Sequence, residues 1–417
     1  MTAKEFLKNH RQSADVIDVE GTIADFTRQM KLGLEGRAQS IPMIATYLTD
    51  LDRSKIKPDV KRILIDAGGT NLRVATGYFD KCGAPHIGDI YKTAMPASDG
   101  TRYTRDEFYS EIAKAVSKHL DKACDIGFCF SYQVDMGKDV DGKIVMFSKE
   151  INAPEVIGTR VGEETLRACK RYSDTERKIV VLNDTVATLL GGMATSDKRY
   201  SAYLGYIYGT GTNVCYIEDS ANIVKIKDLP KGKMLINTEC GNFDGFVLGD
   251  FDKTLISKTA VPDKQLFEKM TSGKYLADIM REAFVAADKE GLFEKQVSLN
   301  PFELKDVSAF LDGRAFPCKF NCSSDSEFAK DVCRVLIERA AAMGAVVNSA
   351  LAISSCKDKS LPVAVVAEGT TFNKLTGYRE QFEKYLTAIL GGRGITYEIV
   401  QGEELNLVGS LMATMVL

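Results

Sequence analysis

Residues 62–79 read RILIDAGGTNLRVATGYF. The stretch begins as a short apolar run that ends in Asp66, passes through Gly68-Gly69, and resumes as a segment rich in β-forming residues. Two such segments on either side of a glycine turn predict a hairpin over Ile63–Tyr78, with the glycines at its tip.

The same arrangement recurs further along the chain, at Leu204–Ile217, without a strict sequence repeat. Apolar runs predict further strands at 125–131, 178–182, 202–208, 214–218 and 362–367. Helical spacing of apolar residues predicts helices at 21–51 (with Thr22 as its cap), 104–120, 275–290, 328–352 and 407–417. Alternating strands and helices indicate an α/β fold.

Length, composition and charge limit the kinds of protein that this chain can be. With 417 residues the chain is too long for one ordinary domain, so two domains are expected. Apolar residues make up 45% and charged residues 27%, as in soluble globular proteins. The net charge is −3, which predicts no basic surface for nucleic acid and no polybasic stripe for a membrane.

The cysteines and the start of the chain indicate a cytoplasmic protein. Residues 1–20 are charged throughout and lack the apolar core of a secretory signal, and we expect no apolar run long enough to span a bilayer. The ten cysteines contain no C-x-x-C pair, so reduced thiols are expected. The three histidines do not cluster, which argues against histidine-based catalysis or metal binding.

The segment Asp66–Arg73 carries the first chemical motif. Its glycines lack a Cβ and let the backbone approach a phosphate closely, while Thr70 and Asn71 offer polar donors. Arg73 can pair with phosphate oxygens, and Asp66 can hold Mg²⁺ through water. The alternative is a simple glycine hairpin turn.

Gly209-Thr210-Gly211-Thr212-Asn213 forms the second motif, and alone it fits any tight turn. A strand rather than a helix is expected after it, so it is not the dinucleotide fingerprint. The chain has neither a Walker loop nor the protein-kinase signatures, so nucleotide binding requires another architecture.

A third motif, Asn183-Asp184-Thr185, follows the apolar strand that ends at Leu182. Asp184 can cap a helix that begins at Thr185, or it can take a proton from a hydroxyl beyond the carboxyl end of the strand. The residues alone favour neither interpretation.

Dispersed polar segments form a fourth set, suited to sugar hydroxyls that both donate and accept hydrogen bonds. Each of them alone is more often a surface segment. They are Ser131, Ser148-Lys149, Asn237-Thr238-Glu239 and Gln265–Glu268.

Together these segments resemble the hexokinase family, in its order and at similar spacing, from about Gly21 to the C-terminus. Asp66–Arg73 and Gly209–Asn213 resemble its two phosphate motifs, and 182–188 resembles its catalytic-aspartate segment. The sugar signature is similar to 126–132, and its two glutamate segments to 237–239 and 265–269. Glu368-Gly369-Thr370 stands where the adenosine-binding turn is expected.

The resemblance implies a duplicated actin-like (ribonuclease H-like) α/β ATPase fold with two domains flanking a cleft. The small domain would comprise 59–183 plus 408–417, and the large domain 1–58 plus 184–407. The implied enzyme is a monomeric or homodimeric hexokinase of the cytoplasm. It would transfer a phosphoryl group from Mg-ATP to the 6-hydroxyl of glucose or a related hexose, the first step of glycolysis.

The resemblance also implies a role for each motif residue, with Asp184 as the general base. The implied hexose ligands are Ser131, Ser148, Lys149, Asn183, Asp184, Asn213, Glu239 and Glu268. The implied nucleotide ligands are Asp66, Gly68, Gly69, Thr70, Asn71, Arg73, Gly209, Thr210, Gly211, Gly369 and Thr370. No direct metal ligand is implied, since Mg²⁺ would arrive with ATP and contact Asp66 through water.

Two departures from the family pattern leave the preferred hexose open. Gln133 stands where the family usually has proline, and Phe147-Ser148-Lys149 replaces Trp-Thr-Lys. Two other interpretations also remain: a different actin-like sugar kinase or ATPase, and a catalytically silent sugar sensor. The second would require a degraded base or phosphate turn, and these motifs are intact.

Overall fold

A computed structural model describes residues 1–49, 51, 53–147, 151–295 and 297–417. Over these residues the strands β1 to β14 are Ile44–Thr49, Arg62–Ala67, Asn71–Phe79, Pro85–Ile87, Tyr91–Ala94, Ile126–Phe130, Gln133–Met136, Gly142–Met146, Ile179–Leu182, Ala202–Tyr208, Thr212–Asp219, Lys233–Asn237, Val363–Glu368 and Tyr397–Val400. The helices α1 to α13 are Ala3–Asn9, Val19–Glu35, Arg105–Val116, Val161–Cys169, Asp184–Thr195, Asp250–Ser257, Leu266–Thr271, Leu276–Lys289, Leu304–Leu311, Ser323–Ser355, Thr370–Lys374, Tyr378–Gly391 and Leu405–Ala413. The α/β class predicted from the sequence is confirmed.

The chain forms two compact units. The first unit consists of Met1–Pro42, Tyr206–Val214 and Thr238–Glu398. The second unit consists of Met43–Gly205, Cys215–Asn237 and Ile399–Leu417. The small and large domains expected from the sequence have other boundaries and stay a prediction.

One six-stranded sheet lies within the second unit, in the order β4-β3-β2-β6-β9, with β5 alongside β3. The hairpin of β2 and β3 forms where the sequence predicts it, with Gly68-Gly69 in its turn. β2 pairs parallel with β6, and β6 pairs parallel with β9. Their register sets Asp66 opposite Cys129 and Cys129 opposite Leu182, so the carboxyl ends of the three strands lie at one edge.

Strand β2 of this sheet is buried on both faces. Ile63 and Ile65 of β2 pack into a core that includes Phe108 of α3. Leu64, between them, packs into a second core that includes Leu411 of α13. Successive side chains of a strand point to opposite faces, so a strand with a core on each side reads as a continuous apolar run.

Helix α13 approaches its neighbours at backbone distance. A Cβ on Gly409 would lie 1.9 Å from the carbonyl oxygen of Ala187 in α5. A Cβ on Gly127 in β6 would lie 2.2 Å from the carbonyl oxygen of Ser410. Glycine is required at both positions because any other residue would push the backbones apart.

The other six-stranded sheet has the order β1-β12-β11-β10-β13-β14. β12 pairs antiparallel with both β1 and β11. The turn between β10 and β11 contains Gly209 to Gly211, so this sheet also carries a glycine turn between consecutive strands.

The helix predicted at 21–51 corresponds to α2, and the prediction was wrong about where this helix begins and ends. Helix α2 begins after Asp18, whose carboxylate accepts a 3.0 Å hydrogen bond from the backbone N–H of Gly21, so Thr22 is not the cap. It ends at Glu35 because Gly36 adopts a left-handed φ of 73°, which breaks the helix. The remaining residues of the predicted helix include strand β1.

Helix α10 contradicts the expectation that the chain has no apolar run long enough to span a bilayer. Its 33 residues are long and apolar enough to cross a membrane by length and composition alone. However, 89% of its apolar window is buried inside the fold. Its apolar residues are therefore accounted for by packing, as in the central helix of a globular core, with α2 and α12 among its neighbours.

His119 lies in a short 3-10 turn after α3 and is only 4% exposed. Neither of its ring nitrogens has a hydrogen-bond partner among the described residues. Burial, together with the charge of Lys122, lowers the pKa of His119 below its ordinary value of 6.5. The unfolded chain therefore takes up this proton first, and folded-state stability falls as the pH drops below about 6.5.

We expect His119→Leu to remove this part of the acid sensitivity and to raise stability at pH 7 by about 1 kcal/mol, since it removes a buried unpaired polar group. Urea unfolding at pH 7.5 and 5.5 measures both effects. His86→Gln is the control, because His86 is exposed and pairs with Asp80. An equal loss of stability on acidification in His119→Leu and wild type would contradict the expectation.

Candidate active site

Three parallel strands of the second unit bring predicted site residues to one sheet edge. Asp66 lies near the carboxyl end of β2, Ser131 follows β6, and Asn183-Asp184 follow β9. This edge is where open α/β sheets place bound ligands. The Gly68-Gly69 turn extends from the same end of β2.

Local hydrogen bonding distinguishes the two polar residues after β9. Asn183 is the N-cap of α5, and its side chain accepts a 3.0 Å hydrogen bond from the backbone N–H of Thr185. Asp184 is the first residue of the helix, and its Oδ1 accepts a 2.8 Å hydrogen bond from the same N–H. The cap position that the sequence offered to Asp184 is thus held by Asn183.

Besides burial, the carboxylates of Asp66 and Asp184 both raise the pKa of the same two buried side chains, Cys129 and Tyr132. Burial, and then the charges of Asp66 and Asp184, raise the pKa of the Cys129 thiol well above its usual value. Burial and the same two carboxylates raise the pKa of Tyr132, whose hydroxyl donates a 2.9 Å hydrogen bond to the carbonyl oxygen of Gly68. The two acids therefore share one electrostatic environment beneath the first glycine turn.

Arg73 is held between two carboxylates. Its Nε and Nη2 lie 2.9 and 2.5 Å from Oδ2 of Asp66, and its Nη1 donates to Glu404 at the start of α13. Burial opposes the charge of Arg73, but the two carboxylates outweigh it and raise its pKa. The sequence predicted Arg73 as a phosphate ligand and did not single out Glu404.

The second glycine turn lies in the first unit, and backbone hydrogen bonds from Gly273 and Lys274 hold it in place. The backbone N–H of Gly209 donates to the carbonyl oxygen of Gly211 at 2.9 Å. The N–H of Gly273 donates to the carbonyl of Gly209 at 2.8 Å, and that of Lys274 to the carbonyl of Thr210 at 3.2 Å. Sequence reasoning assigned no role to Gly273, although a glycine four residues after the second glutamate segment was a signal for it.

The turn at Gly369 contacts the second glycine turn. Gly369 has a φ of 126°, and a Cβ there would lie 2.2 Å from the carbonyl oxygen of Tyr208 and 3.0 Å from the nitrogen of Gly209. Thr370 follows as the first residue of α11 and is exposed. The predicted adenosine turn and the predicted second phosphate turn are therefore neighbours within the first unit.

Predicted sugar ligands surround the same turn. Nδ2 of Asn213 donates to Oε1 of Glu239 at 3.3 Å, and the backbone N–H of Thr212 donates to Oε2 of Glu268 at 3.2 Å. A Cβ on Gly211 would lie 2.5 Å from that oxygen of Glu268. Because Gly211 has no side chain, the carboxylate of Glu268, which belongs to the same unit, can lie against the turn.

The two glutamate segments are joined by Asn242, which sequence reasoning missed. Its Nδ2 donates to the carbonyl oxygen of Glu239, and its Oδ1 accepts from the backbone N–H of Gln265, each at 3.3 Å. Glu239 and Gln265 both have a positive φ, of 53° and 56°. Strain of this kind concentrates at functional sites.

Ser148 and Lys149 lie outside the described residues. Phe147, which precedes them, packs edge-on against Tyr132 with ring centroids 5.1 Å apart.

Among the described residues no three His, Cys, Asp or Glu side chains form a group that could hold a metal ion. All ten cysteines are free thiols.

Comparison with known proteins identifies the family. Two family models, both described as hexokinase, match residues 3–194 and 203–416. The chain belongs to the hexokinase family. The residues that the sequence assigns to the hexokinase motifs fall within the two matched ranges.

Hexokinase relatives differ in how much of them the chain spans. It is 30% identical to hexokinase-1 of Rattus norvegicus over 308 residues, 68% of this chain and 33% of that protein. It is 26% identical to hexokinase-2 of Saccharomyces cerevisiae over 405 residues, 88% of this chain and 81% of that protein. The chain therefore spans about a third of the length of the mammalian relatives it matches.

A solved hexokinase shares the fold. The hexokinase from Schistosoma mansoni complexed with glucose superposes with a TM-score of 0.83 at 22% identity, over 100% of both chains. The mixed α/β hexokinase fold is thereby confirmed.

Gly369→Ala should destabilise the protein because its Cβ meets backbone that cannot move aside. We expect it to cost about 2 kcal/mol more than Gly377→Ala, the typical penalty of overpacking. Gly377 is the matched control, since it also has a positive φ, but a methyl group added there would have no neighbouring atom within 4 Å. Urea denaturation measures both, and equal losses would show that the Gly369 turn relaxes freely.

Proposed function

We propose that this chain is an ATP-dependent hexokinase that phosphorylates the 6-hydroxyl of glucose or a related hexose. The observation that carries the proposal is the placement of Asp66 and Asp184 at the carboxyl ends of parallel strands in one sheet. A carboxylate for the acceptor hydroxyl and a carboxylate for the metal-bound donor are the two acids that this phosphoryl transfer needs.

The comparisons support this activity. The relatives that share the family are named hexokinases, and the Schistosoma mansoni structure contains glucose. The yeast relative, which matches over most of both chains, is itself named a hexokinase. The proposed enzyme is cytoplasmic, acts at the first step of glycolysis, and is a monomer or homodimer.

The proposed ligand sets follow the motifs. Hexose would be held by Ser131, Ser148, Lys149, Asn183, Asp184, Asn213, Glu239 and Glu268. Mg-ATP would be held by Asp66, Gly68, Gly69, Thr70, Asn71, Arg73, Gly209, Thr210, Gly211, Gly369 and Thr370. We keep the proposed small domain at 59–183 plus 408–417, and the large domain at 1–58 plus 184–407.

In the proposed mechanism Asp184 accepts the proton of the 6-hydroxyl as that oxygen attacks the γ-phosphorus, and the bond from the γ-phosphorus to the bridging oxygen breaks to release ADP. The amides of the glycine turns, with Thr70, Arg73 and Thr210, stabilise the charge on the transferring group. Little covalent chemistry falls to the protein, so orientation and electrostatics account for most of the rate. Excluding water from the site prevents ATP hydrolysis.

Asp66 fits a role beside Mg²⁺. Its Oδ2 is taken by Arg73, while Oδ1 is buried and accepts no hydrogen bond from any described residue. A buried carboxylate oxygen without a donor suits a metal-bound water. Magnesium supplies charge neutralisation on the phosphates when bound.

Asp184→Asn tests the general base. We expect kcat to fall about 10²–10⁴-fold, the usual cost of losing such a group. Stability should change by less than about 0.5 kcal/mol, because Asn183 already caps α5 and Asn is as good a capping residue as Asp. A coupled assay with ATP and glucose, with calorimetry of glucose binding and a thermal melt, measures all three.

Asp174→Asn is the matched control, since Asp174 is an exposed acid in the loop before β9. Near wild-type kcat in Asp184→Asn would remove Asp184 as the base.

Wild type should be assayed with glucose, mannose, fructose and N-acetylglucosamine. ATP turnover that no hexose stimulates would favour another ATPase of this fold, and hexose binding without turnover would favour a sensor.

A further inference from the structure

Glu404 has an unusual backbone conformation. Its φ and ψ are 53° and 32°, in the left-handed region, although it carries a side chain. It occupies the cap position of α13, yet its side chain makes no capping hydrogen bond. Left-handed backbone costs free energy for any residue with a Cβ, and such strain persists where the surrounding structure imposes it.

The side chain of Glu404 is directed to Arg73, 331 residues earlier in the chain, and accepts a hydrogen bond from its Nη1. The side chain of Arg73 is 26% exposed and that of Glu404 is 35% exposed, so the pair is partly open to solvent. Asp66, which holds Nε and Nη2 of Arg73, is only 6% exposed. The guanidinium therefore has one buried partner and one partner at the surface.

The charges around Arg73 do not balance. Two carboxylates, those of Asp66 and Glu404, face one guanidinium. Of these two carboxylates, that of Glu404 is the one more open to solvent, with 35% of its side chain exposed against 6% for Asp66. Phosphate and carboxylate oxygens compete for the same N–H donors of arginine, and two anions on one cation repel each other.

We propose that Glu404 is a positioning residue that holds Nη1 of Arg73 until the polyphosphate of the nucleotide displaces it. This inference rests on the proposed function, in which Arg73 contacts ATP. Glu404 thereby weakens nucleotide binding, since phosphate must replace a carboxylate that is already bonded. It leaves hexose binding unchanged, because none of its described contacts involves a proposed hexose ligand.

The test uses two variants at this position and one beside it. Glu404→Gln removes the charge and keeps the shape. Glu404→Gly removes the carboxylate and relieves the backbone strain. Glu403→Gln is the matched control, since Glu403 is an exposed carboxylate one residue earlier whose charge is screened by solvent.

We expect both Glu404 variants to lower the ATP KM and the Kd for Mg-ATP by about three- to tenfold, as loss of one partly exposed charge near the phosphates requires. The hexose KM should stay within about twofold, and the gain should shrink as salt is raised. Glu404→Gly should melt at or above the wild-type temperature, because its strain is relieved. Glu403→Gln should leave the ATP KM within about twofold.

An unchanged or raised Kd for Mg-ATP in both Glu404 variants would overturn the proposal, as would an equal shift in Glu403→Gln. Calorimetry with inorganic tripolyphosphate separates this outcome from failure of the proposed function. If wild type shows no hexose-dependent turnover, the enzyme assignment fails. Tighter tripolyphosphate binding by Glu404→Gln would still support competition at Arg73, and unchanged binding would still refute it.

Discussion

The parallel pairing of β2, β6 and β9 is the constraint on which the second unit depends. Parallel register fixes which residues leave the sheet at its carboxyl edge, and here it places Asp66 at the same edge as the segment that holds Asp184, with β6 between them. The same pairing requires both faces of the sheet to be covered, because parallel strands in such sheets are buried on both sides. The two cores around β2 meet that requirement, so the position of the acids and the packing of the unit have one common origin.

Local features of the fold could be predicted from the sequence, and distant ones could not. The β2–β3 hairpin was predictable because its strands and turn are contiguous. The end of α2 was missed because the left-handed conformation of Gly36 outweighs the helical periodicity that continues beyond it. Asn183 and Asp184 are equally good caps, so only the structure assigns the cap. The contact of Arg73 with Glu404 joins residues 331 apart, which no local pattern reveals.

Each unit contains a carboxylate that engages a donor in or directly after a segment proposed for phosphate. In the second unit Glu404 accepts from Arg73, and in the first unit Glu268 accepts from the backbone N–H of Thr212, directly after the second glycine turn. A donor with a partner in the absence of ligand is ordered in advance and avoids the cost of an unmade hydrogen bond. Such preorganisation reduces the loss of conformational freedom on binding, at the expense of a partner that the ligand has to displace.

Helix α13 also governs how the chain acquires its structure during synthesis. Its side chains fill one core of the β2–β6–β9 sheet, and Gly409 rests directly on the backbone of α5. The cover of that face stays incomplete until residues 405–413 have left the ribosome, more than 200 residues after β9 has been made. The second unit is therefore completed late in translation, and its nascent form exposes an apolar surface of the kind that chaperones bind.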